Sequence, residues 1–172
     1  MTAFGLDAFN IDDRCAQILG SYRAIPRGVR RAVAKECERF VLDHIARRRS
    51  FAVETTLRTT AAIEQAELAS NSGFATEMRF VATDSIAENV ARVLQRAQAG
   101  GHGASEREIR AIQQASIANL RKAIAAFERV RVYDSTVRWA PPRLVATARD
   151  GRVALHGPTP AWLDAILAED RD

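Results

Sequence analysis

Between residues 28 and 48 the apolar residues Val29, Val33, Cys37, Phe40, Val41 and Ile45 return at three- and four-residue steps. That spacing predicts an amphipathic helix. Its other face carries Arg30, Arg31, Lys35, Glu36, Glu38 and Arg39, and it runs out into Arg47-Arg48-Arg49. Cations at a helix C-terminus favour the macrodipole, so the arginine run reads as a solvated helix end. The period then shortens. Residues 50–53 read as a short buried strand, 59–72 as an alanine-rich helix and Gly73 as its stop. Residues 78–82 return to strand character. Asp84 or Ser85 can cap the next helix, which carries Ile86, Val90, Val93 and Leu94 and ends at Gly100-Gly101. A further helix over 105–127 leads to a strand at 130–133. Residues 144–148 and 153–155 read as a hairpin about Asp150-Gly151, and Thr159-Pro160 opens a last helix.

Strands alternating with helices of crossover length predict an α/β fold, a mostly parallel sheet flanked on both faces by helices in three layers. A length of 172 residues suits one domain over 1–172, and 47% hydrophobic with 27% charged residues is an ordinary globular composition. No run of about 18 apolar residues exists, and no basic stretch precedes an apolar one at the N-terminus. Neither a membrane span nor a signal peptide is expected, which points to the cytoplasm. Cys15 and Cys37 lack metal-ligand spacing and read as buried thiols. His44, His102 and His156 are isolated from one another, so no metal site is expected. A net charge of +4 and a pI near 9.7 suit an anionic partner such as a nucleotide. Glu36, Glu38 and Asp43 on the arginine-rich helix argue against direct nucleic-acid binding.

Phe51-Ala52-Val53-Glu54-Thr55-Thr56-Leu57-Arg58-Thr59 is an apolar strand ending in a glutamate, threonines and an arginine where a helix begins. In a parallel sheet that is the ligand edge. A carboxylate, hydroxyls and a guanidinium there can hold sugar hydroxyls and phosphate oxygens; a helix start with threonine caps and a solvated ion pair reads equally well. The segment resembles the zeta-toxin family, whose strand after the first long helix ends in a Glu-x-Thr-Leu-Arg-Thr-like motif. Further pieces follow in the family's order. Gly73-Phe74 with Arg79-Phe80-Val81-Ala82-Thr83 resembles its next strand, and Gly100-Gly101-His102 its lid turn. Asn119-Leu120-Arg121-Lys122 and Phe127 through Asp134 resemble its last helix and strand, while Asn10-Ile11-Asp12-Asp13 is similar to its Asn-Pro-Asp element. The resemblance covers about residues 9–155, leaving 156–172 as a C-terminal helix.

The resemblance implies a P-loop-kinase-like fold and an ATP- and Mg2+-dependent transfer of phosphate to a hydroxyl of a sugar nucleotide such as UDP-N-acetylglucosamine. It also implies an antitoxin protein as partner. Asp12 would orient or deprotonate the attacking hydroxyl, and Glu54 would hold the acceptor. Thr55, Thr56, Arg58 and Thr59 would contact the sugar nucleotide, and Arg107 and Arg110 would approach the transferred phosphoryl group from a mobile lid over 99–108. The phosphate-gripping loop Gly-x-x-x-x-Gly-Lys-Ser/Thr is absent: the two lysines, Lys35 and Lys122, follow Ala34 and Arg121. The expectation is therefore that the family's first strand is missing, through a start assigned too far downstream, a fragment, or natural loss leaving a binding module. Such a chain would transfer no phosphate by itself.

Overall fold

A computed structural model describes residues 2–3, 6–98 and 103–168. The chain in it divides into two units, one of residues up to 56 together with 92–105, the other of residues 57–91 with those from 106 onward.

In the first unit, strand β1 (Thr2–Ala3) runs antiparallel to β2 (Leu6–Asn10), and β2 pairs in parallel with β3 (Phe51–Glu54). Helices α1 (Ile11–Leu19) and α2 (Arg27–Ala46) form the crossover between β2 and β3, a connection long enough for two strands to run in the same direction. The stripe read from the sequence is the buried face of α2. Val33, Cys37 and Val41 are at most 3% exposed, and Phe9 and Cys15 complete the core with Val29, Phe40 and Val53 against it. At the far end of α2, His44 is buried against Phe40 and Phe51. Its Nδ1 bonds the Phe40 carbonyl at 2.8 Å and its Nε2 meets Asp7 at 3.2 Å.

The second unit holds α3 (Ala61–Asn71), β4 (Glu77–Ala82) and the start of α4 (Ile86–Gln98). It continues with α5 (Glu106–Ala126), β5 (Arg129–Asp134), β6 (Arg143–Arg149), β7 (Arg152–Leu155) and α6 (Ala161–Ala168). Its sheet has the order β4-β5-β6-β7. The core is larger than that of the first unit: Leu120, Ala123, Val130, Val132, Val145 and Leu163 are at most 1% exposed and pack with Phe80, Ile124 and Trp162. Local chemistry sets the ends. Gly73, at φ +82°, closes α3 as its amide bonds the Ser70 carbonyl while that of Phe74 reaches back to Ala69. Asp150 and Gly151, both at positive φ, make the tight turn between β6 and β7. Ser85 Oγ accepts the Glu88 amide at 3.1 Å and so caps α4.

The result is an α/β fold, strands with helices flanking them. Three features depart from the expected layout. The strands form two sheets rather than one mostly parallel sheet, and among the described residues only β2–β3 and β4–β5 pair in parallel. β6 is antiparallel to both β5 and β7, and a two-residue turn joins it to β7. Residues 6–10, where the pattern predicts no strand, form β2. β3 is half-buried rather than buried, since β2 is its one strand neighbour among the described residues.

Candidate active site

Asn10 ends β2 and caps α1. Its backbone is still extended (φ −124°, ψ 119°), and its Oδ1 accepts the amides of Asp12 at 2.9 Å and Asp13 at 3.1 Å. Its Nδ2 donates to Glu54 Oε2 at 2.8 Å. The parallel register pairs Asn10 with Glu54, so the carboxyl ends of β2 and β3 finish side by side. One asparagine thus ties the helix bearing Asp12 to the strand bearing Glu54.

Asp12 and Asp13 occupy the first turn of α1, where the helix dipole favours negative charge. Asp12 Oδ1 accepts from Arg30 at 2.7 Å, both side chains about one third exposed. The Tyr22 hydroxyl donates to Asp13 Oδ1 at 2.8 Å, and that bond raises the Tyr22 pKa from its ordinary value. Of the two carboxylates, Asp12 is the one oriented by a guanidinium. Glu54, Thr55 and Thr56 follow along the same edge, all exposed.

Arg58 and Thr59 belong to the second unit. They are exposed in the bend before α3, which starts two residues later than the sequence pattern predicts. Ahead of them Leu57 is 2% exposed at φ +54°, and its carbonyl accepts from Asn119 Nδ2 at 3.0 Å. Arg107 and Arg110 stand on the first turns of α5. Arg110 is ion-paired with Glu106 at 2.6 Å, and both arginines border a shallow open hollow of about 600 Å³ with Ala111 and Gln114. Because one helix alone lines it, the hollow is a surface feature. Of the expected lid, residues 99–102, His102 among them, lie outside the described residues.

Among the expected site residues, the first unit therefore holds Asp12, Glu54, Thr55 and Thr56, and the second holds Arg58, Thr59, Arg107 and Arg110. Sequence reasoning missed two partners. Arg30 read as part of a solvated face, and Asn10 carried no role, although asparagine ahead of an acidic first turn is itself a cap signature. Three other arginines of this unit also have local partners: Arg14 with Glu36, Arg47 with Asp43, and Arg49 with Asp43 and Asp7. Cys15 and Cys37 are free and buried, as their spacing implied.

The second unit has its own polar edge. Ala82 pairs with Asp134 where parallel β4 and β5 end. Asp134, its side chain 10% exposed, accepts from Thr136 Oγ1 at 2.6 Å and lies 3.8 Å from Arg143. Thr136 Oγ1 in turn accepts the Asp84 amide at 2.9 Å, and Asp84 accepts the Trp162 amide at 3.2 Å.

ATP and Mg2+ need an amide cradle at a strand-to-helix junction with a lysine beside it. The residues do not fit that group: Lys35 lies within α2 and Lys122 within α5. Among the described residues no cluster of three or more His, Cys, Asp or Glu side chains is arranged for a metal ion, and no helix is long and apolar enough to cross a membrane.

No protein-family model matches the sequence, and no curated protein matches it. Among solved structures, a chain from the PezAT chromosomal toxin-antitoxin system of the human pathogen Streptococcus pneumoniae is similar, with a TM-score of 0.56 at 18% identity. The match covers 96% of this chain and 67% of that one. At such identity the likeness is one of fold alone.

Proposed function

We propose that this chain is the acceptor-handling part of a zeta-toxin-type phosphotransferase, the toxin of a cytoplasmic toxin-antitoxin pair, acting on a hydroxyl of a sugar nucleotide such as UDP-N-acetylglucosamine. The observation that carries the reading is the parallel register of β2 and β3, which puts Glu54 opposite Asn10 at the edge where α1 presents Asp12. The solved neighbour, from a toxin-antitoxin system, supports the antitoxin partner. In this reading Glu54 and the hydroxyls of Thr55 and Thr56 hold the sugar, and Arg58 and Thr59 hold the nucleotide phosphates. Arg30 occupies Asp12 Oδ1 and leaves Oδ2 to accept the proton of the attacking hydroxyl. Arg107 and Arg110 offset the charge that develops on the transferred group. The lysine loop that transfer requires is not among these 172 residues, so no step through ATP is assigned to them.

The test is calorimetric titration of residues 1–172 with UDP-N-acetylglucosamine, beside an assay for phosphate transfer from ATP. Binding that Glu54→Gln weakens, with no transfer, is the expected result. In an upstream-extended chain carrying the lysine loop, Asp12→Asn should lower kcat by about 10²–10⁴-fold at a similar KM. Turnover by residues 1–172 alone, or indifference of binding to Glu54, overturns the proposal. The absent loop also favours a second reading, a non-catalytic module that holds a nucleotide-like ligand or an antitoxin-type protein. An extended chain that binds the sugar nucleotide but transfers nothing would decide for it.

A further inference from the structure

The helices that build the core of the second unit cover its sheet on one face. Ile63 of α3, Leu120 of α5 and Leu163 of α6 join one cluster with Phe80, Val130 and Val132 of the strands. Successive strand residues point to opposite faces, so the intervening Arg79, Arg129 and Arg131 stand on the other face, their side chains 39% to 49% exposed. The register sets them in rows across the strands. Glu77, Arg129, Arg149 and Arg152 form one row, and Arg79, Arg131 and Thr147 the next. In the row beyond, Val81, 54% exposed, pairs with Tyr133.

Three arginines from three neighbouring strands thus stand side by side, and like charges directly opposite each other destabilise a sheet. Carboxylates offset only part of this. Glu77 serves both Arg79, at 3.0 Å, and Arg131, at 2.5 Å, while at the margin Glu128 lies 3.4 Å from Arg129 and Asp150 3.9 Å from Arg149. Arg152 pairs with none of the three, and with Arg149 it borders an open hollow of about 510 Å³ at the β6–β7 turn. Ion pairs as exposed as these hold their partners weakly, so an incoming anion can take the guanidinium groups over. The rows lie about 7 Å apart along the strands, with about 5 Å between strands, a flat grid of cations that a phosphodiester chain can follow. Guanidinium forks match phosphate oxygens two at a time.

We propose that this face of the second sheet binds a single strand of nucleic acid, its phosphates on the arginine rows and a base on Tyr133 beside Val81. The inference does not depend on the phosphotransfer reading or on the site built around Asp12 and Glu54. What argued against nucleic acid on α2 is missing here: that helix intersperses Glu36, Glu38 and Asp43 with its arginines, whereas Glu77 is the one carboxylate inside these rows. A cationic track with an aromatic ring along its side is the make-up of single-strand binding surfaces, which hold phosphates and bases at once. An acidic protein segment would use the arginines and leave Tyr133 idle. A duplex, its bases stacked inside, would do the same.

The experiment follows the anisotropy of fluorescein-labelled oligothymidylate and oligouridylate, each of about 12 nucleotides, as the 172-residue protein is added at roughly 50 to 300 mM KCl. One or both strands should bind, with log Kd rising against log salt at a slope of up to about 3.5, the limit of about 0.7 per phosphate for five arginines. Arg129→Gln, Arg149→Gln and Arg152→Gln together should cut that slope by about 2. Their circular dichroism should match the parent and their Tm should be no lower, since the changes remove opposed like charges. Tyr133→Ala should weaken binding roughly 5- to 140-fold at the parent slope, and Tyr133→Phe, which keeps the ring, should recover most of it. Arg47→Gln, Arg48→Gln and Arg49→Gln together, an equal loss of charge in the first unit, should leave the slope where it is. Polyglutamate and the oligothymidylate–oligoadenylate duplex, as competitors, should displace the label less well than the unlabelled strand. No binding at the lowest salt, an undiminished slope in the triple sheet variant, an equal fall in the Arg47 to Arg49 variant, indifference to Tyr133→Ala, or competition by polyglutamate or duplex as strong as by the single strand would each overturn the proposal.

Discussion

Cys37 illustrates how burial becomes a measurable pH response. At 3% exposure its thiolate would be stripped of water, and that, with a smaller contribution from Glu38, raises its pKa from 9.0 to about 11. The Cys15 thiol is raised too, because burial outweighs the opposing pull of Arg30. A folded-state pKa above the unfolded one means that the native protein retains a proton the unfolded chain gives up. The contribution to stability is therefore whole below pH 9 and lost as pH climbs through 11. Thermal melts from pH 8 to 11 should show the parent losing stability more steeply than Cys37→Ala, whose midpoint is lower throughout for packing reasons. Parallel slopes would show that the thiol does not titrate as described. The sequence marked both as buried thiols; how far up burial drives them depended on which helix faces meet.

At the scale of elements, the junction of β2 and α1 does two jobs through one side chain. Asn10 Oδ1 caps the helix, and Nδ2 holds Glu54. The jobs can be separated. Asn10→Ala removes both and should cost about 1 kcal/mol for the cap, a fall in Tm of about 2–4 °C. Asn10→Asp keeps the capping oxygen but sets a carboxylate where a donor met Glu54. Its Tm should stay near that of the parent while sugar-nucleotide binding, measured by calorimetry, drops at least as far as in Asn10→Ala. Equal losses of Tm in the two variants would show that the Glu54 contact, not the cap, carries the stability. Other elements were plain from local chemistry: the α2 stripe, the Gly73 stop and the Asp-Gly hairpin each sit where predicted. β2 was not, because in Leu6-Asp7-Ala8-Phe9-Asn10 Phe9 alone is buried, and such a strand is created by its neighbours.

At the scale of the molecule, the two units have cores of unequal size. Among the described residues, Phe9, Cys15, Val33 and Cys37 form the buried cluster of the first, whereas that of the second has fourteen members from Leu57 to Ile166. Stability tracks apolar area removed from water, so the first unit should open at lower denaturant. Its two thiols report on it, and Trp162 reports on the other once Trp139→Phe has removed the second indole. In urea, thiol labelling should begin before Trp162 emission shifts; coincident midpoints would mean one cooperative transition. The sequence by itself determined the periodicity of α2, the turns, the buried thiols, the absence of a glycine-lysine loop and the order of motifs that resembles the zeta-toxin family. Each is a property of neighbours along the chain, within reach of a few residues. Only the tertiary structure decided that the strands form two sheets, that Asn10 joins Asp12 to Glu54, that Arg30 holds Asp12, and that Trp139 stands in solvent beside Arg138, which Glu88 holds. Those depend on pairings between residues 18 to 50 positions apart, which hydrogen-bond register and packing select and local pattern does not encode.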